Sequence, residues 1–285
     1  MQWRVPSLTA IERPGVESPA YSAYVPCFNN AGTVRAAVES LLAQTPPPDE
    51  VLVVDDGSTD DSAGRLAGLT VRVVANGRNL GRGATRARAM AEAQHAFVLS
   101  CDAAVRLGPD FAARAFTWLA DPKAAAAFGP IADPAPRGVA GRWRARHLFK
   151  QSVPGPRLNR RALLATGGTL LRKSACERVG GFDATLRHFE DADLGHRLLA
   201  AGYDVVFAPE LVMLCNAPNT VGEVLERYRR WYGGRSGRMT GAAFWASFRY
   251  AVAGMAPADL RAGDVGAAVV SLACPFYQWW KSTRP

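Results

Sequence analysis

Short apolar runs that alternate with helical stretches constrain the fold of this chain most. Four such runs, each bounded by polar turns, cover residues 23–25, 51–54, 71–74 and 96–99. Between and after them, the apolar spacing predicts helices over residues 33–43, 83–93 and 111–119. Strands that alternate with helices predict an α/β fold, in which a mostly parallel sheet carries helices on both faces.

Composition excludes several classes of protein. With 285 residues, 48% of them hydrophobic, the chain can bury the core of one large domain with an appendage. No signal sequence is visible, and no apolar run is long enough to span a bilayer. The five cysteines are widely spaced and form no metal-binding pair, which is typical of reduced thiols in a cytoplasmic protein.

The net charge of +9 is concentrated in two segments. Residues 133–161 hold eight Lys or Arg and one acid, and a second group of arginines lies between Arg227 and Arg238. Three interpretations stay open: a solvated surface, a site for phosphate-bearing ligands, or a face for an anionic membrane. No recognition motif accompanies the charge, so we expect no nucleic-acid partner.

Carboxylates follow the second predicted strand directly. Asp55 and Asp56 come after the apolar run 51–54, and ligands of parallel sheets bind at the carboxyl ends of the strands. A carboxylate there can accept hydrogen bonds from a base or from sugar hydroxyls, although an acidic turn is the simpler alternative. Further on, residues 79–83 open a helix whose N-terminus, together with Arg82, favours an anion.

A third acidic group begins a predicted helix near residue 190. Asp191 lies on the same stripe as Leu194, Leu198 and Ala201. An ionised side chain that points inward needs a partner or a function. The alternative is that Asp191 only caps the helix.

Four segments occur in the order found in family 2 glycosyltransferases, and the chain resembles that family over roughly residues 21–234. They are Val25-Pro26-Cys27-Phe28-Asn29, Asp55-Asp56-Gly57-Ser58-Thr59, Arg78-Asn79-Leu80-Gly81 and Glu190-Asp191-Ala192-Asp193-Leu194. The resemblance implies the GT-A fold and an inverting transfer from a nucleotide-diphosphate sugar of the UDP or GDP type.

The same resemblance implies roles for individual residues. It places Pro26, Phe28 and Asn29 in the nucleotide pocket, although Phe28 could equally be a core aromatic. It places Asp56 against the base with Asp55 beside it.

For the sugar and the diphosphate, the resemblance matches Asp191 to the general base, with Glu190 next to it. Residues 227–231 loosely resemble the Gln-x-x-Arg-Trp motif of polysaccharide-forming relatives. In that likeness Arg230 faces the diphosphate and Trp231 the acceptor, and the alternative is a core Trp231 with surface arginines.

The metal motif of the family is incomplete here. Members usually carry Asp-x-Asp after the fourth strand, where it coordinates Mg²⁺ or Mn²⁺, but this chain has Asp102 followed by Ala104. One carboxylate is too few to hold a hard cation tightly. The metal could be held weakly through Asp102 and the sugar donor, arginines such as Arg82 could replace it, or catalysis could be lost. We expect a working enzyme with weak or no metal dependence.

The resemblance divides the chain into an N-terminal arm (1–20), a GT-A domain (21–234) and a helical C-terminal segment (235–285). Within the domain, residues 21–105 form the nucleotide-binding half and residues 106–234 the acceptor half, with a long basic loop at 133–161. The aromatic and basic tail suits either attachment to the membrane interface or a helix packed on the core. The expected location is therefore cytoplasmic, with peripheral binding to the inner face of the membrane as an open alternative.

A glycosyltransferase is the leading functional hypothesis. A relative that binds nucleotide sugar without catalysis is the alternative, because Ala104 interrupts the metal motif. A nucleotidyltransferase would need a Gly-rich basic loop after the first strand, and a membrane scaffold would leave the acidic strand ends unexplained. Glycan, lipid-linked and small-molecule acceptors are not distinguished by the sequence.

Overall fold

The computed structural model describes residues 19–151, 157–215, 217–232 and 238–283. Its strands are β1 Tyr21–Cys27, β2 Glu50–Asp55, β3 Arg72–Ala75, β4 Phe97–Cys101, β5 Val105–Leu107, β6 Ala124–Phe128, β7 Ile131–Ala132, β8 Gly168–Arg172, β9 Asp204–Phe207 and β10 Met213–Cys215. Its α-helices are α1 Val34–Leu42, α2 Arg82–Glu92, α3 Phe111–Leu119, α4 Gly138–His147, α5 Lys173–Arg178, α6 Glu190–Ala200, α7 Val221–Tyr232, α8 Gly241–Tyr250, α9 Ala256–Arg261 and α10 Val265–Ser282.

Seven strands form the central sheet in the order β3-β2-β1-β4-β8-β6-β9. The pairs β1–β2, β1–β4, β2–β3 and β6–β9 are parallel, whereas β8 runs antiparallel to both of its neighbours. The apolar runs are continuous rather than alternating because both faces of the sheet are covered. The predicted α/β fold with a mostly parallel sheet is confirmed.

Helices cover the two faces through separate hydrophobic clusters. On one face α1 and α3 pack against the sheet, with Val34, Val38 and Phe111 buried. On the other face α2, α5 and α6 pack, and Leu194 and Leu198 of α6 are fully buried. Of the predicted inward stripe, Leu194 and Leu198 are therefore buried and Asp191 is partly buried, whereas Ala201 follows the helix and is exposed.

The basic segment 133–161 is not the long loop that the sequence predicted, because helix α4 lies within it. Trp143 of α4 is fully buried and donates from Nε1 to Ser271 Oγ of α10 at 2.8 Å. Arg142 forms an ion pair with Asp264 at 2.7 Å, and Arg146 forms one with Asp259. These arginines hold the C-terminal helices, and their partners lie more than 110 positions away, where the local pattern gives no sign of them.

A small second sheet, in the order β5-β10-β7, lies where the polypeptide leaves β4. Strand β10 leads towards α7, whose start is a capping box: Thr220 N donates to Glu223 Oε2 at 2.6 Å, and Glu223 N donates to Thr220 Oγ1 at 3.3 Å. The predicted start of this helix is confirmed, and its arginines are brought to the end of the central sheet.

The C-terminal segment is helical, as predicted, and packs on α4 and α7 through a third hydrophobic cluster. None of the helices in the described residues is long and apolar enough to cross a membrane. Of the predicted N-terminal arm, residues 1–18 lie outside the described part of the chain.

Candidate active site

The acidic turn after β2 anchors the loop that leads into α2. Asp56 is buried, and its carboxylate accepts hydrogen bonds from Asn76 Nδ2, Leu80 N and Gly81 N, each at 2.9 Å. Gly57 has φ of +76°, and an added Cβ would lie 2.5 Å from the carbonyl carbon of Arg78. The turn and the loop thus meet so closely that only glycine fits between them.

Asp55 and Asn29 stabilise this turn by accepting hydrogen bonds from its backbone. Asp55 Oδ1 accepts from Ser58 N at 3.2 Å, and Asn29 Oδ1 accepts from Thr59 N at 2.8 Å. Asn29 has φ of +51°, a conformation that asparagine tolerates better than most residues. Neither side chain lines the cleft described next, so their predicted contact with the nucleotide stays a prediction.

A cleft of about 520 Å³ opens at the carboxyl ends of β1 and β4. It is lined by five of the residues predicted to bind the sugar donor, namely Pro26, Phe28, Asp56, Arg82 and Asp102. The ring of Phe28 is 43% exposed, so it is not a core aromatic. The strand ends therefore bring these side chains to one place, as the position of the acidic pair predicted.

Arg86 of α2 links this cleft to α6. Its Nη2 donates to Asp102 Oδ1 at 2.7 Å and its Nε to Glu190 Oε1 at 3.1 Å. It also donates from Nη1 to Ser100 Oγ at 2.8 Å, so all three guanidinium nitrogens have partners. The side chain of Arg86 is only 3% exposed. A buried cation of this kind holds two carboxylates from distant segments in one geometry.

From the sequence alone, Arg86 only adds, with Arg82 and Arg88, to the positive charge that favours an anion at the start of α2. A signal was available, since Arg86 falls on the same helical stripe as Met90 and Ala93, both of which are buried.

Asp191 follows Glu190 in the first turn of α6 and is partly buried. Burial raises the pKa of Asp191 above its ordinary value, and the adjacent Glu190 raises it further. Asp102 also raises the pKa of Asp191, while Arg86 lowers it, so the group responds to the charges of the cleft. Asp56 and Asp102 line one cleft, and Arg86 links Asp102 to Glu190 next to Asp191, although Asp191 does not itself line that cleft.

The loop before α6 packs tightly on α2. Gly83 N donates to Leu186 O at 2.9 Å, and a Cβ on Gly83 would lie 2.2 Å from Asp183 O and 2.4 Å from Leu186 O. A glycine at this position lets the backbone that leads to Asp191 approach the helix of the sugar-donor cleft.

Three arginines, Arg82, Arg227 and Arg230, line the cleft. Within the described residues, none of the three has a carboxylate at ion-pair distance. Burial, followed by the neighbouring Arg82 and Arg227, lowers the pKa of Arg230 to about 10. A partly buried guanidinium with like charges beside it and no carboxylate at ion-pair distance is suited to receive an anion.

Trp231 follows Arg230 at the end of α7 and also lines the cleft. Its side chain is 43% exposed, whereas Val224 and Tyr228 of the same helix are buried. The alternative of a core Trp231 is therefore wrong, because the helix turns this ring towards the opening and not into the hydrophobic cluster.

The side chains at the Asp-x-Asp position do not fit a tightly held cation. Asp102 Oδ1 is already bound to Arg86, and Ala104 supplies no ligand. Both oxygens of Asp56 accept N–H groups. Across the described ranges, no group of three or more His, Cys, Asp or Glu side chains is placed to hold a metal ion. A divalent cation at this site would take most of its six ligands from bound phosphate and water, and few from side chains.

The sequence matches the family described as "Glycosyl transferase family 2" over residues 22–180, which is more than half of the chain. It is 24% identical over 215 residues to the O-antigen chain rhamnosyltransferase RfbN of Salmonella typhimurium, which covers 72% of this chain and 68% of that protein. It is 30% identical over 196 residues to the succinoglycan biosynthesis protein ExoA of Rhizobium meliloti, covering 64% of this chain and 58% of that protein.

Solved structures with the same fold include the mannosyltransferase PcManGT from Pyrobaculum calidifontis in complex with GDP-Man and Mn²⁺. The TM-score is 0.58 at 19% identity, over 95% of this chain and 77% of that one. Another is S. aureus TarS 1–349 in complex with UDP-GlcNAc, with a TM-score of 0.53 at 18% identity over 74% of this chain and 64% of that one. The GT-A fold expected from the sequence is confirmed by these likenesses.

Proposed function

Starting from the finding that the chain belongs to glycosyltransferase family 2, we propose that it transfers a sugar with inversion from a UDP- or GDP-type donor to an acceptor hydroxyl. That the chain is a glycosyltransferase follows from its family and its relatives. The proposal concerns its stereochemistry and its residues. The observation that carries it is the bridge made by Arg86, which fixes Asp102 in the cleft and Glu190 beside Asp191.

The cleft offers separate surfaces for the parts of a nucleotide sugar. Pro26, the half-exposed ring of Phe28 and the carboxylate of Asp56 lie together and suit a base with its ribose. Arg82 and Arg230 lie in the same cleft and suit the diphosphate, because guanidinium groups bind phosphate oxygens with two parallel hydrogen bonds. Asp55 and Asn29 act in this proposal by holding the turn that carries Asp56.

Asp191 serves as the general base. It takes the proton of the acceptor hydroxyl while the hydroxyl oxygen bonds to the anomeric carbon, and the bond from that carbon to the diphosphate oxygen breaks. One displacement from the face opposite the leaving group inverts the stereochemistry. Burial and the neighbouring Glu190 raise the pKa of Asp191, which makes its carboxylate a stronger base than a solvated aspartate. Trp231 faces the acceptor side of the cleft.

Arginines stabilise the leaving diphosphate in place of a metal ion. Arg82, Arg227 and Arg230 have no carboxylate partner within the described part of the chain, and the ligand set at Asp102 is poor. Pre-positioned cations stabilise negative charge that develops on a leaving group. The charge that a divalent cation would supply is thus already present.

The test is release of free nucleoside diphosphate. The full-length protein is incubated with a panel of UDP- and GDP-sugars, first alone and then with candidate acceptors, and the released UDP or GDP is measured. We expect one sugar donor to give release that rises with acceptor. Because Ala104 interrupts the metal motif, a non-catalytic relative is the rival, and binding of the panel without any release would support it.

A further part of the proposal concerns α8 and α10. These helices present exposed apolar and aromatic side chains, namely Trp245, Val265, Val269, Leu272, Phe276, Trp279 and Trp280. Phe244 of α8 contacts both Phe276 and Trp279 of α10, with ring centroids 5.5 and 5.6 Å apart, so the two helices share one surface. Lys281 and Arg249 lie on the same helices. Aromatic rings with basic neighbours suit the interface of an anionic membrane.

A further inference from the structure

A second cavity, of about 740 Å³, adjoins the sugar-donor cleft. Its walls are the loop before α6, the end of α7, and one face each of α8 and α10. Three residues, Arg187, His188 and Arg230, line both spaces. The second cavity is therefore reached directly from the place where the diphosphate of the sugar donor would lie.

The charge of the second cavity is that of a site for an anion. Besides Arg187 and Arg230, the basic side chains of Arg229 and Arg238 line it, and the two carboxylates that line it are engaged. Asp193 accepts from Arg197 at 2.7 Å, and Asp183 accepts from Thr185 Oγ1 at 2.7 Å.

Arg229 and Arg230 differ in whether their guanidinium groups have hydrogen-bond partners. Arg229 is held by Glu226 at 2.6 Å, whereas Arg230 Nε is buried and has no hydrogen-bond partner among the residues that the structure describes. A buried N–H of a guanidinium without an acceptor is costly unless a ligand supplies one.

The second cavity also has an apolar lining. Tyr232, Met239, Ala243 and Ala246 contribute it, beside the polar Ser247, Gln278 and Ser282, and the two alanines leave space along α8. A bound molecule would thus meet both cations and apolar side chains. A neutral glycan or a water-soluble phosphate would use only part of this lining.

Helices α8 and α10 line the second cavity on one side and carry the exposed aromatic surface on the other. In α8, Ala243 and Ser247 line the cavity, while Trp245 lies about half a helical turn away and is 60% exposed. In α10, Gln278 lines the cavity and Phe276, likewise about half a turn away, is 55% exposed. Only one layer of helix, roughly 10 Å thick, separates the cavity from the surface suited to a membrane.

We propose that this second cavity is the acceptor site and that the acceptor is a saccharide linked to a lipid through a phosphate or diphosphate, so that the saccharide supplies the hydroxyl that Asp191 deprotonates. The phosphate would contact Arg230 and Arg187, and the hydrocarbon chain would run along α8 towards the aromatic surface. Asp191 itself lines neither cavity, but in the sequence it lies between Phe189 and Asp193, which line the second cavity, and next to Glu190, which is tied to the sugar-donor cleft through Arg86. This assignment rests on the proposed transferase function and names its acceptor class.

Binding of farnesyl phosphate to the full-length protein tests the assignment. It is measured by calorimetry below the concentration at which the lipid forms micelles, with farnesol and inorganic phosphate as comparison ligands. We expect farnesyl phosphate to bind at least about tenfold more tightly than either, because only it can contact both the cations and the apolar side chains of the lining. Equal affinity for farnesol and its phosphate would overturn the assignment, as would equal affinity for inorganic phosphate.

Two matched alanines on α8 locate the binding. Ala246→Trp fills the cavity from an exposed position, whereas Ala242→Trp places the same bulk on the same helix outside the lining. We expect Ala246→Trp to weaken farnesyl phosphate binding about tenfold or more and Ala242→Trp to leave it unchanged. Ala243→Trp serves if Ala246→Trp does not fold.

Titration of UDP and GDP separates the two proposals. Each tryptophan variant should bind the nucleotides as the unmodified protein does. Intact nucleotide binding with no difference between the two variants would contradict the acceptor site alone. Failure of the unmodified protein to bind either nucleotide would contradict the proposed function, whatever the lipid phosphate does.

Discussion

Arg86 Nε lies 3.1 Å from Glu190 Oε1, and both side chains are 3% exposed. The two residues are 104 positions apart in the sequence, one on the helix that begins at the sugar-donor cleft and the other beside the candidate base. This buried ion pair joins the two halves of the domain at the point where chemistry is proposed. The predictions below follow from that connection and from the charges around it.

Asp191→Asn should abolish transfer while leaving nucleotide affinity unchanged. The amide keeps the shape of the side chain but cannot accept the proton of the acceptor hydroxyl. Loss of a general base costs roughly a hundredfold to ten-thousandfold in rate. The measurement is acceptor-dependent release of nucleoside diphosphate together with UDP and GDP binding. Asp61→Asn, at an exposed position, is the control. Near-normal turnover by the Asp191 variant would remove the assignment.

The same substitution should change how stability depends on pH. The folded protein raises the pKa of Asp191 above its ordinary value of 3.8, so protonated Asp191 is favoured in the folded state. Stability from this group is therefore complete below pH 3.8 and is lost as pH rises through the raised pKa. Asp191→Asn should raise the free energy of unfolding at pH 7 to 8 relative to the unmodified protein, with the difference vanishing towards about pH 4. Urea unfolding at several pH values measures it. A difference that is constant with pH would contradict the raised pKa.

Arg86→Met should destabilise the protein by about 3 kcal/mol or more, because it leaves Asp102 and buried Glu190 without their shared cation. Arg88→Met is the matched control on the same helix. Arg88 is 40% exposed, its ion pair with Glu92 spans 3.9 Å, and its other partners are the neutral oxygens of Ala75 and Asn76, so we expect a smaller loss of about 1 kcal/mol. Denaturant unfolding of both variants decides the matter. Similar losses would mean that the bridge through Arg86 contributes little.

Sugar transfer should persist in EDTA. Asp102 is already bound to Arg86, and Ala104 has no side-chain oxygen, so the two positions do not hold a cation tightly. The measurement compares nucleoside diphosphate release with EDTA, with added Mn²⁺ and with neither. Strong loss in EDTA that Mn²⁺ restores would count against replacement of the metal by arginines.

Arg230→Gln tests whether arginines stabilise the leaving diphosphate in place of a metal ion, and the measurement is again the release of nucleoside diphosphate. The substitution removes one of the cations that face the diphosphate, and a transition-state contact of this kind is worth on the order of a hundredfold in rate. Arg229→Gln is the neighbouring control, since Arg229 is already paired with Glu226.

Full-length protein should co-sediment with vesicles that contain phosphatidylglycerol, and Trp245→Ser with Phe276→Ser should reduce the bound fraction. Both rings are more than half exposed, and insertion of aromatic rings at the interface adds to the attraction between basic side chains and anionic lipid. Leu163→Ser, at an exposed apolar position on the main domain, is the control. Equal partitioning of all three proteins would remove the membrane surface from the proposal.

The sequence predicted what local pattern determines. Apolar runs bounded by turns gave the strands up to β4, and the capping box gave the start of α7. The positions of Phe28 and Asp56 at the ends of strands followed, because parallel strands bring their carboxyl ends to one edge.

What the sequence did not reveal depends on distant partners. An apolar run does not state its direction, so the antiparallel course of β8 was not expected. Helix α4 depends on Asp259 and Asp264, which lie far along the chain. The sequence does not show that Arg86 is buried against Glu190, because the two residues are 104 positions apart. The second cavity is formed by the loop before α6 together with α7, α8 and α10, so no single segment of the sequence indicates it.

The reversed direction of β8 determines where new material can enter this domain. Gly168 at the start of β8 pairs with Cys101 at the carboxyl end of β4. Arg172 at the end of β8 pairs with Phe97 at the amino end of β4. Residues inserted ahead of β8 would emerge beside the cleft, and residues inserted behind it would emerge away from the cleft. A longer connection between β7 and β8 would therefore add residues beside the sugar-donor cleft while leaving β1 and β2, which lead into Phe28 and Asp56, unaltered.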